Sequence, residues 1–180
     1  MHKVSAIFGI VLLMVLAAAP HTGKSEKGRK PVGWQKPADA ALLLEKESRP
    51  ILVDVYTTWC QYCKVMDNTT WRHDSVVQYL AQNFYTIKLN AEDKQPQSWM
   101  GKNYEYNPRY KVNMLAVELL RGNMVYPSTV IIPPSGEWQV LPGALKPAEI
   151  ELALKYYGSQ AYKSLDFETF RQSFSSQWRQ

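Results

Sequence analysis

Two cysteines are the residues of this chain whose type and spacing could do chemistry. Cys60 and Cys63 are separated by two residues, and the sequence contains no other cysteine. A disulfide that closes so short a loop removes little entropy from the unfolded chain, so a structural bridge explains the pair poorly. The spacing instead favours a redox pair that exchanges disulfides with other molecules and needs no cofactor beyond its own disulfide.

Two other interpretations of the pair remain open, a metal-handling site and an inert disulfide. The cysteines would supply two of the four ligands of a structural zinc site, and His73 is the one histidine nearby. Lys64 follows Cys63 where a haem-attachment motif requires histidine. We therefore expect no metal and no haem at this position.

A strand and a helix must position the two sulfurs. Residues 51–56 are almost all apolar, which is typical of a strand buried on both faces. A helix is predicted to begin near Cys60, which places both sulfurs on one face of its first turn. The free N–H groups and partial positive charge at a helix start favour a thiolate. We expect a lowered pKa for Cys60 as the nucleophile, with Cys63 lying deeper and resolving the mixed disulfide.

The remaining pattern predicts an α/β domain with a mixed central sheet flanked by helices. A crossover between two parallel strands, followed by an antiparallel hairpin, produces such a sheet. An aromatic stripe at helical spacing predicts an extra helix in the C-terminal extension, residues 159–180. The first predicted helix covers 38–47, and the helix that begins near Cys60 breaks around residues 68–70 and resumes through residues 76–81. Asn113 is predicted to cap a helix that Gly122 closes, and Pro147 suits the first turn of a last helix that ends at Gly158. The predicted strands cover 51–56, 84–89, 125–132 and 138–141, an insert spans 91–112, and the stripe comprises Phe167, Phe170, Phe174 and Trp178.

The first 19 residues have the pattern of a signal peptide, with a positive start, an apolar run and three alanines before Pro20. Proline is a poor residue after a cleavage site, so an uncleaved N-terminal anchor is the alternative, and it would be the only contact with a membrane. Residues 20–37 are predicted to form a linker. We expect export to the periplasm. The net charge of +5 is not concentrated on one predicted element, so no nucleic-acid partner is expected.

Three segments resemble the thioredoxin superfamily and occur in the order of that family. Residues 53–64 resemble its active-site segment, residues 126–129 its cis-proline loop, and residues 142–145 the glycine turn before its last helix. The resemblance covers about residues 38–158 and implies a thioredoxin fold, here with an insert before the cis-proline strand. Residues 66–71 and 101–104 are similar to exported bacterial thioredoxin-like proteins with an enlarged middle section.

The resemblance also implies roles for residues around the cysteines. Asp54, six residues before Cys60, matches a buried carboxylate with a raised pKa that accepts the proton of Cys63. Lys88 on the next strand matches a lysine that pairs with this carboxylate. The alternative for Asp54 is an ordinary solvated or salt-bridged side chain.

A second group of residues is implied to bind substrate. Pro127 would follow a cis peptide bond beside the cysteines and hold the backbone of Tyr126 where a substrate strand can pair with it. Trp59 would either shield the site or only pack against its neighbours. The aromatic residues of the insert either cover the core or form a lip that faces the substrate; they are Trp99, Tyr104, Tyr106 and Tyr110.

The implied activity is thiol–disulfide exchange with disulfides of exported proteins, by reduction or isomerisation. The partners would be protein disulfides and a membrane-bound or soluble thiol that supplies electrons. Gln61 and Tyr62, between the cysteines, leave the direction of the reaction open. The alternative function is a binding or chaperone module of the same fold whose thiols are incidental.

Overall fold

The computed structural model describes residues 31–178, which form a four-stranded sheet between helices, with a small insert. The signal peptide or anchor predicted for residues 1–19 lies outside the described residues. The helices are α1 Ala40–Lys46, α2 Gln61–Asn68, α3 Asp74–Asn83, α4 Met114–Leu119, α5 Pro147–Gly158 and α6 Phe167–Ser173. The strands are β1 Ile51–Tyr56, β2 Tyr85–Asn90, β3 Gln97–Trp99, β4 Lys102–Tyr104, β5 Tyr106–Asn107, β6 Val112–Asn113, β7 Ser128–Ile132 and β8 Gln139–Pro142.

The central sheet has the strand order β2-β1-β7-β8. Strands β1 and β2 are parallel, and β7 is antiparallel to β1 and to β8. This mixed sheet confirms the predicted fold class. Tyr56 is the register partner of Asn90, and Val55 is the register partner of Ser128. The ends of β1 and β2 and the start of β7 therefore meet at one edge of the sheet, which we call the site edge.

The alternation of β1 divides the core into two layers, because successive side chains of a strand point to opposite faces. Val53 and Val55 pack with α1, α4 and the insert. Leu52 packs with the helices on the other face. The partners of Leu52 include Met66, Trp71, Leu80, Ile150 and Leu154. Every residue of β1 except Tyr56 is buried, as the apolar run predicts.

The insert forms two short hairpins around a buried asparagine. The Asn113 side chain accepts a hydrogen bond from the Leu115 amide and caps α4, as predicted. Its amide group donates to the carbonyls of Asp93, Gln95 and Tyr104, which ties the insert to the helix. Trp99 and Tyr104 are buried in the core, so the lip hypothesis is wrong for these two. Tyr110 is 68% exposed.

The predicted linker boundary needs a correction, because residues 32–37 belong to the folded domain. Val32 is buried, and its amide donates to the Trp71 carbonyl. Gln35 pairs in parallel with Ile87 on the outer side of β2. Glycine, proline and lysine gave this segment the composition of a linker. Its backbone is nevertheless held by β2, the outermost strand of the sheet, because backbone hydrogen bonds form whatever the side chains are.

The C-terminal extension also departs from the expectation of one aromatic helix. Helix α6 ends at Ser173, and Phe174 already has an extended backbone. Trp178 lies beyond the helix and is buried against Tyr79, with ring centroids 5.7 Å apart. The cause is Glu151, whose Oε2 accepts hydrogen bonds from the Ser176 hydroxyl and from the amides of residues 177 and 178. Those two amides are free to donate because the segment is not helical.

Candidate functional site

The two cysteines lie at the junction of β1 and α2, where the sequence places them. Cys60 has an extended backbone and is the N-cap of α2, and Cys63 lies in its first turn. The sulfurs are joined in a disulfide, and the Cα atoms are 5.3 Å apart. The backbone N–H of Cys63 donates a hydrogen bond to Cys60 Sγ at 3.1 Å. This N–H would stabilise a negative charge on the Cys60 sulfur after reduction.

The cysteines are equally buried, so the expectation that Cys63 lies deeper is not met in this disulfide form. Their exposed fractions are 4% for Cys60 and 5% for Cys63. Apolar side chains around them are open to solvent: Trp59 is 61% exposed and Tyr62 is 70% exposed. The disulfide therefore sits in a surface whose rim is aromatic.

The peptide bond between Tyr126 and Pro127 is cis, as the resemblance implies. The Pro127 carbonyl accepts a hydrogen bond from the Gly143 amide at 2.8 Å. Gly143 has a φ of +90°, a left-handed conformation that favours glycine, and it forms the turn before α5. The loop leads into β7 and lies at the site edge together with the start of α2.

Trp59 connects the cysteine segment to two neighbouring loops. Its ring lies edge-on to Tyr126, with centroids 6.1 Å apart. Its indole N–H donates to Glu92 Oε1 at 3.0 Å, just beyond the end of β2. Burial and the negative charge of Glu92 raise the pKa of Tyr126 to about 12, so this phenol is neutral at physiological pH.

Asp54 is a buried carboxylate, 2% exposed, paired with a lysine on the neighbouring strand. Its Oδ2 lies 3.2 Å from Nζ of Lys88, which also contacts Asp67 on α2. Burial raises the pKa of Asp54 to about 6, although Lys88 opposes the shift. Burial lowers the pKa of Lys88, but the two carboxylates outweigh it and the net shift is upward. A solvated Asp54 is thereby excluded, while the predicted lysine contact is present.

Asp54 lies in the strand against which the buried face of the cysteine helix packs. Cys63 and Met66 are the buried residues of α2, one turn apart. Met66 packs in the same cluster as Leu52, which shares a face of β1 with Asp54. Asp54 Oδ1 is buried without a hydrogen-bond partner. The strand that packs against the buried face of the cysteine helix thus carries an unsatisfied buried acceptor.

Sequence reasoning missed Asp67 and Glu92. Asp67 lies four residues after Cys63 on α2, and Glu92 lies two residues after the end of β2. Those spacings were the available signals, because i,i+4 residues share a helix face and residues after parallel strands meet at one edge. Both carboxylates resemble ordinary surface charges in the sequence, so neither stands out.

Within residues 31–178, no group of three or more histidine, cysteine, aspartate or glutamate side chains is placed to hold a metal ion. Nor does any helix in that range combine the length and apolar composition that crossing a bilayer requires.

The described residues combine a cysteine pair at a strand-to-helix junction with a cis-proline loop at the same end of a mixed four-stranded sheet. A buried aspartate lies in the strand that leads to the cysteines. This combination is that of a thioredoxin-like fold. The model of the family described as thioredoxin-like matches residues 34–113. The described residues have the fold of the thioredoxin superfamily, and the chain is similar to its thioredoxin-like family over residues 34–113.

Solved structures with the same fold have low sequence identity to this chain. A thioredoxin-fold protein from Helicobacter pylori aligns with a TM-score of 0.54 at 15% identity, over 69% of this chain and 79% of that one. The oxidoreductase DsbH aligns with a TM-score of 0.54 at 12% identity, over 79% of this chain and 96% of that one. No curated protein matched the sequence.

Proposed function

We propose that the protein is an exported thiol–disulfide oxidoreductase that reduces or isomerises disulfides of other exported proteins through Cys60 and Cys63. The observation that carries the proposal is the hydrogen bond from the Cys63 amide to Cys60 Sγ at the start of α2. A cysteine sulfur held in this way ionises to the thiolate more readily than one in bulk water, and it is also a better leaving group.

The first chemical step forms one sulfur–sulfur bond and breaks another. The Cys60 thiolate attacks one sulfur of the substrate disulfide, and the other substrate sulfur leaves as a thiolate that takes a proton from water. The product is a mixed disulfide between Cys60 and the substrate. The aromatic rim, Trp59 and Tyr126, would lie against the substrate at this stage.

The second step releases the substrate. The Cys63 thiol gives its proton to Asp54 and attacks Cys60 Sγ, so the Cys60–Cys63 bond forms and the bond to the substrate breaks. The second substrate sulfur leaves as a thiolate that takes a proton from water, and Asp54 later returns its proton to water. An acceptor with a pKa near 6 suits this transfer close to neutral pH. The substrate has gained two electrons and two protons, and a thiol donor must reduce the Cys60–Cys63 disulfide before the next turnover.

Insulin reduction by dithiothreitol tests the proposal, because precipitation of the free B chain reports disulfide cleavage. The wild-type protein should shorten the lag, and Cys60→Ser should behave like the uncatalysed reaction. Equal activity of both proteins would reject the function. The potential of the Cys60–Cys63 couple, measured against glutathione, distinguishes a reductant at about −270 mV from an oxidant at about −120 mV.

A second candidate is a binding or chaperone module, favoured by the exposed apolar surface next to the cysteines. Trp59, Tyr62 and Val65 are each more than half exposed. This function predicts that the variant with serine at both cysteines still suppresses aggregation of an unfolded, cysteine-free protein. Retained suppression by this variant, together with no insulin reduction by the wild-type protein, would support the binding module over the enzyme.

A further inference from the structure

An apolar groove of about 490 Å³ lies between the insert, α4 and the cis-proline loop. Its volume is within the range of about 300–1,000 Å³ that is usual for binding clefts. Its apolar floor and walls come from Val112, Met114, Val117, Met124 and Tyr126. Tyr110 and the polar residues Glu92, Asn107 and Lys111 complete its lining.

The groove is continuous with the cysteine site through two shared residues. Tyr126 lines the groove, precedes the cis bond, and lies with its ring centroid 6.1 Å from that of Trp59. Glu92 also lines the groove and accepts the hydrogen bond of the Trp59 indole. A chain held at Cys60 can therefore extend past Tyr126 into the groove.

Two methionines give the groove an adaptable surface. Met114 is the first residue of α4 and is 38% exposed, and Met124 lies in the loop before β7 and is half-buried. Methionine has three rotatable bonds and a polarisable sulfur, so methionine-rich surfaces accept apolar partners of different shapes. The exposed ring of Tyr110 extends this surface, whereas the buried rings of Trp99 and Tyr104 serve the core.

We propose that this groove is a substrate subsite that takes a large apolar side chain of the polypeptide whose disulfide is exchanged. The proposal rests on the function proposed above and adds a preference among its substrates. A substrate chain that starts at Cys60 passes Trp59 and Tyr126, whose ring centroids are 6.1 Å apart, before it enters the groove. An extended chain advances about 3.3 Å per residue, so crossing these two rings takes about two residues. The preferred side chain therefore lies two or more residues from the reacting substrate cysteine.

The kinetic test compares two peptides that differ only in apolar character. Each peptide has one cysteine joined by a disulfide to a coloured aromatic thiol. At the second and third positions before and after this cysteine, one peptide has leucines and the other has serines. The reduced full-length protein should release the coloured thiol from the leucine peptide about tenfold faster, equivalent to about 1.4 kcal/mol. The small symmetric aromatic disulfide, which cannot reach the groove, serves as the reference substrate.

Variants connect the preference to the groove. Met114→Ser combined with Met124→Ser should reduce the preference to less than about threefold, since most of the adaptable apolar surface is removed. Met100→Ser is the matched control, because Met100 is 41% exposed and lines a different cavity. It should keep the tenfold preference. All three proteins should react equally with the small disulfide.

The outcomes separate the groove from the chemistry. Reaction with the small disulfide but equal rates for both peptides would overturn the subsite and leave the proposed function intact. A preference that the double variant retains would also overturn it. Failure with every disulfide would reject the proposed function.

A binding measurement tests the groove without any redox step. With ¹³C-methyl methionine, the leucine peptide carrying serine in place of cysteine should shift the Met114 and Met124 methyl resonances and leave Met100 in place. Unshifted resonances for Met114 and Met124 at millimolar peptide would overturn the subsite.

Discussion

Asp54 and Lys88 are register partners on parallel strands, and their charged groups approach to 3.2 Å in the interior beside the cysteine helix. The lysine, which also contacts Asp67, does not fully offset the effect of burial on the pKa of the carboxylate. The protein thus retains an aspartate whose ionisation is costly in the folded state. This cost has consequences for stability and for catalysis that can be measured separately.

Asp54→Asn should stabilise the protein at alkaline pH. The folded-state pKa of Asp54, about 6, lies above the value of about 3.9 in an unfolded chain, so the folded state binds more protons between these values. Its contribution to the free energy of unfolding therefore falls as pH rises from about 4 to above 6. The variant should gain about 2.4 kcal/mol more, relative to wild type, at pH 8 than at pH 4, as urea denaturation of the disulfide forms would show.

Asp67→Asn is the matched control for that experiment. It removes the other carboxylate that contacts Lys88 and leaves the buried one in place. We expect it to keep the decline in stability between pH 4 and pH 6. The same decline in Asp54→Asn would contradict the assignment of the pH dependence to Asp54.

Cys63→Ser should accumulate a mixed disulfide with the substrate. This variant retains the sulfur at the helix start but lacks the thiol that releases the substrate. Mass spectrometry of the variant mixed with a disulfide-bonded protein should detect the covalent adduct, which thiols would remove. Cys60→Ser is the control and should form little adduct under the same conditions. The reverse pattern would assign the nucleophile to Cys63.

Glu151→Ala should release the C-terminal segment and lower the free energy of unfolding by about 2–3 kcal/mol. The buried carboxylate accepts three hydrogen bonds from residues 176–178. Hydrogen bonds to a charged group contribute about 1.5–3 kcal/mol each. The expected loss is smaller than their sum, because in the variant the segment can leave its place and its donors can bond to water. Urea denaturation and the rate of carboxypeptidase digestion measure the two effects.

Ser176→Ala serves as its control, because it removes one donor and leaves both backbone amides bonded to Glu151. A loss of about 1 kcal/mol is expected with little change in digestion. Equal digestion of wild type and Glu151→Ala would show that Glu151 does not hold the segment.

Gly158→Ala should destabilise the protein by about 1–2 kcal/mol despite the better helix propensity of alanine. An added Cβ would lie 2.7 Å from Tyr79 Cε1 and 2.8 Å from Phe84 Cε2. Thermal denaturation measures the loss. At Gly33 an added Cβ meets nothing within 4 Å, so Gly33→Ala should change stability by less than about 0.5 kcal/mol. Similar stability changes in both variants would contradict the steric argument.

The sequence was sufficient to predict the features that depend on local patterns. The apolar run of β1 gave a buried strand, Asn113 and Pro147 marked helix starts, and the cysteine spacing placed the pair at the start of α2. Each of these features is determined by residues that are close together in the sequence. The parallel pairing of β1 with β2 followed from the long crossover between them.

Features that depend on distant partners could not be predicted in the same way. The aromatic stripe after residue 166 is continuous in the sequence, yet Glu151 holds its last part in an extended conformation. Asp67 and Glu92 gain importance only because Lys88 and Trp59 reach them in space. A periodic pattern shows which face of an element is apolar, but it does not show which charge that element will meet.

The segment before α1 has a practical consequence for anyone who shortens this protein. The Gln35 amide donates to the Thr86 carbonyl, and the Lys88 amide donates to the Gln35 carbonyl, so the segment covers the outer side of β2. A chain cut at residue 38, where composition alone would place the domain boundary, would expose an unpaired strand that recruits other strands and promotes aggregation. A truncation that starts before Val32 keeps this side of the sheet covered.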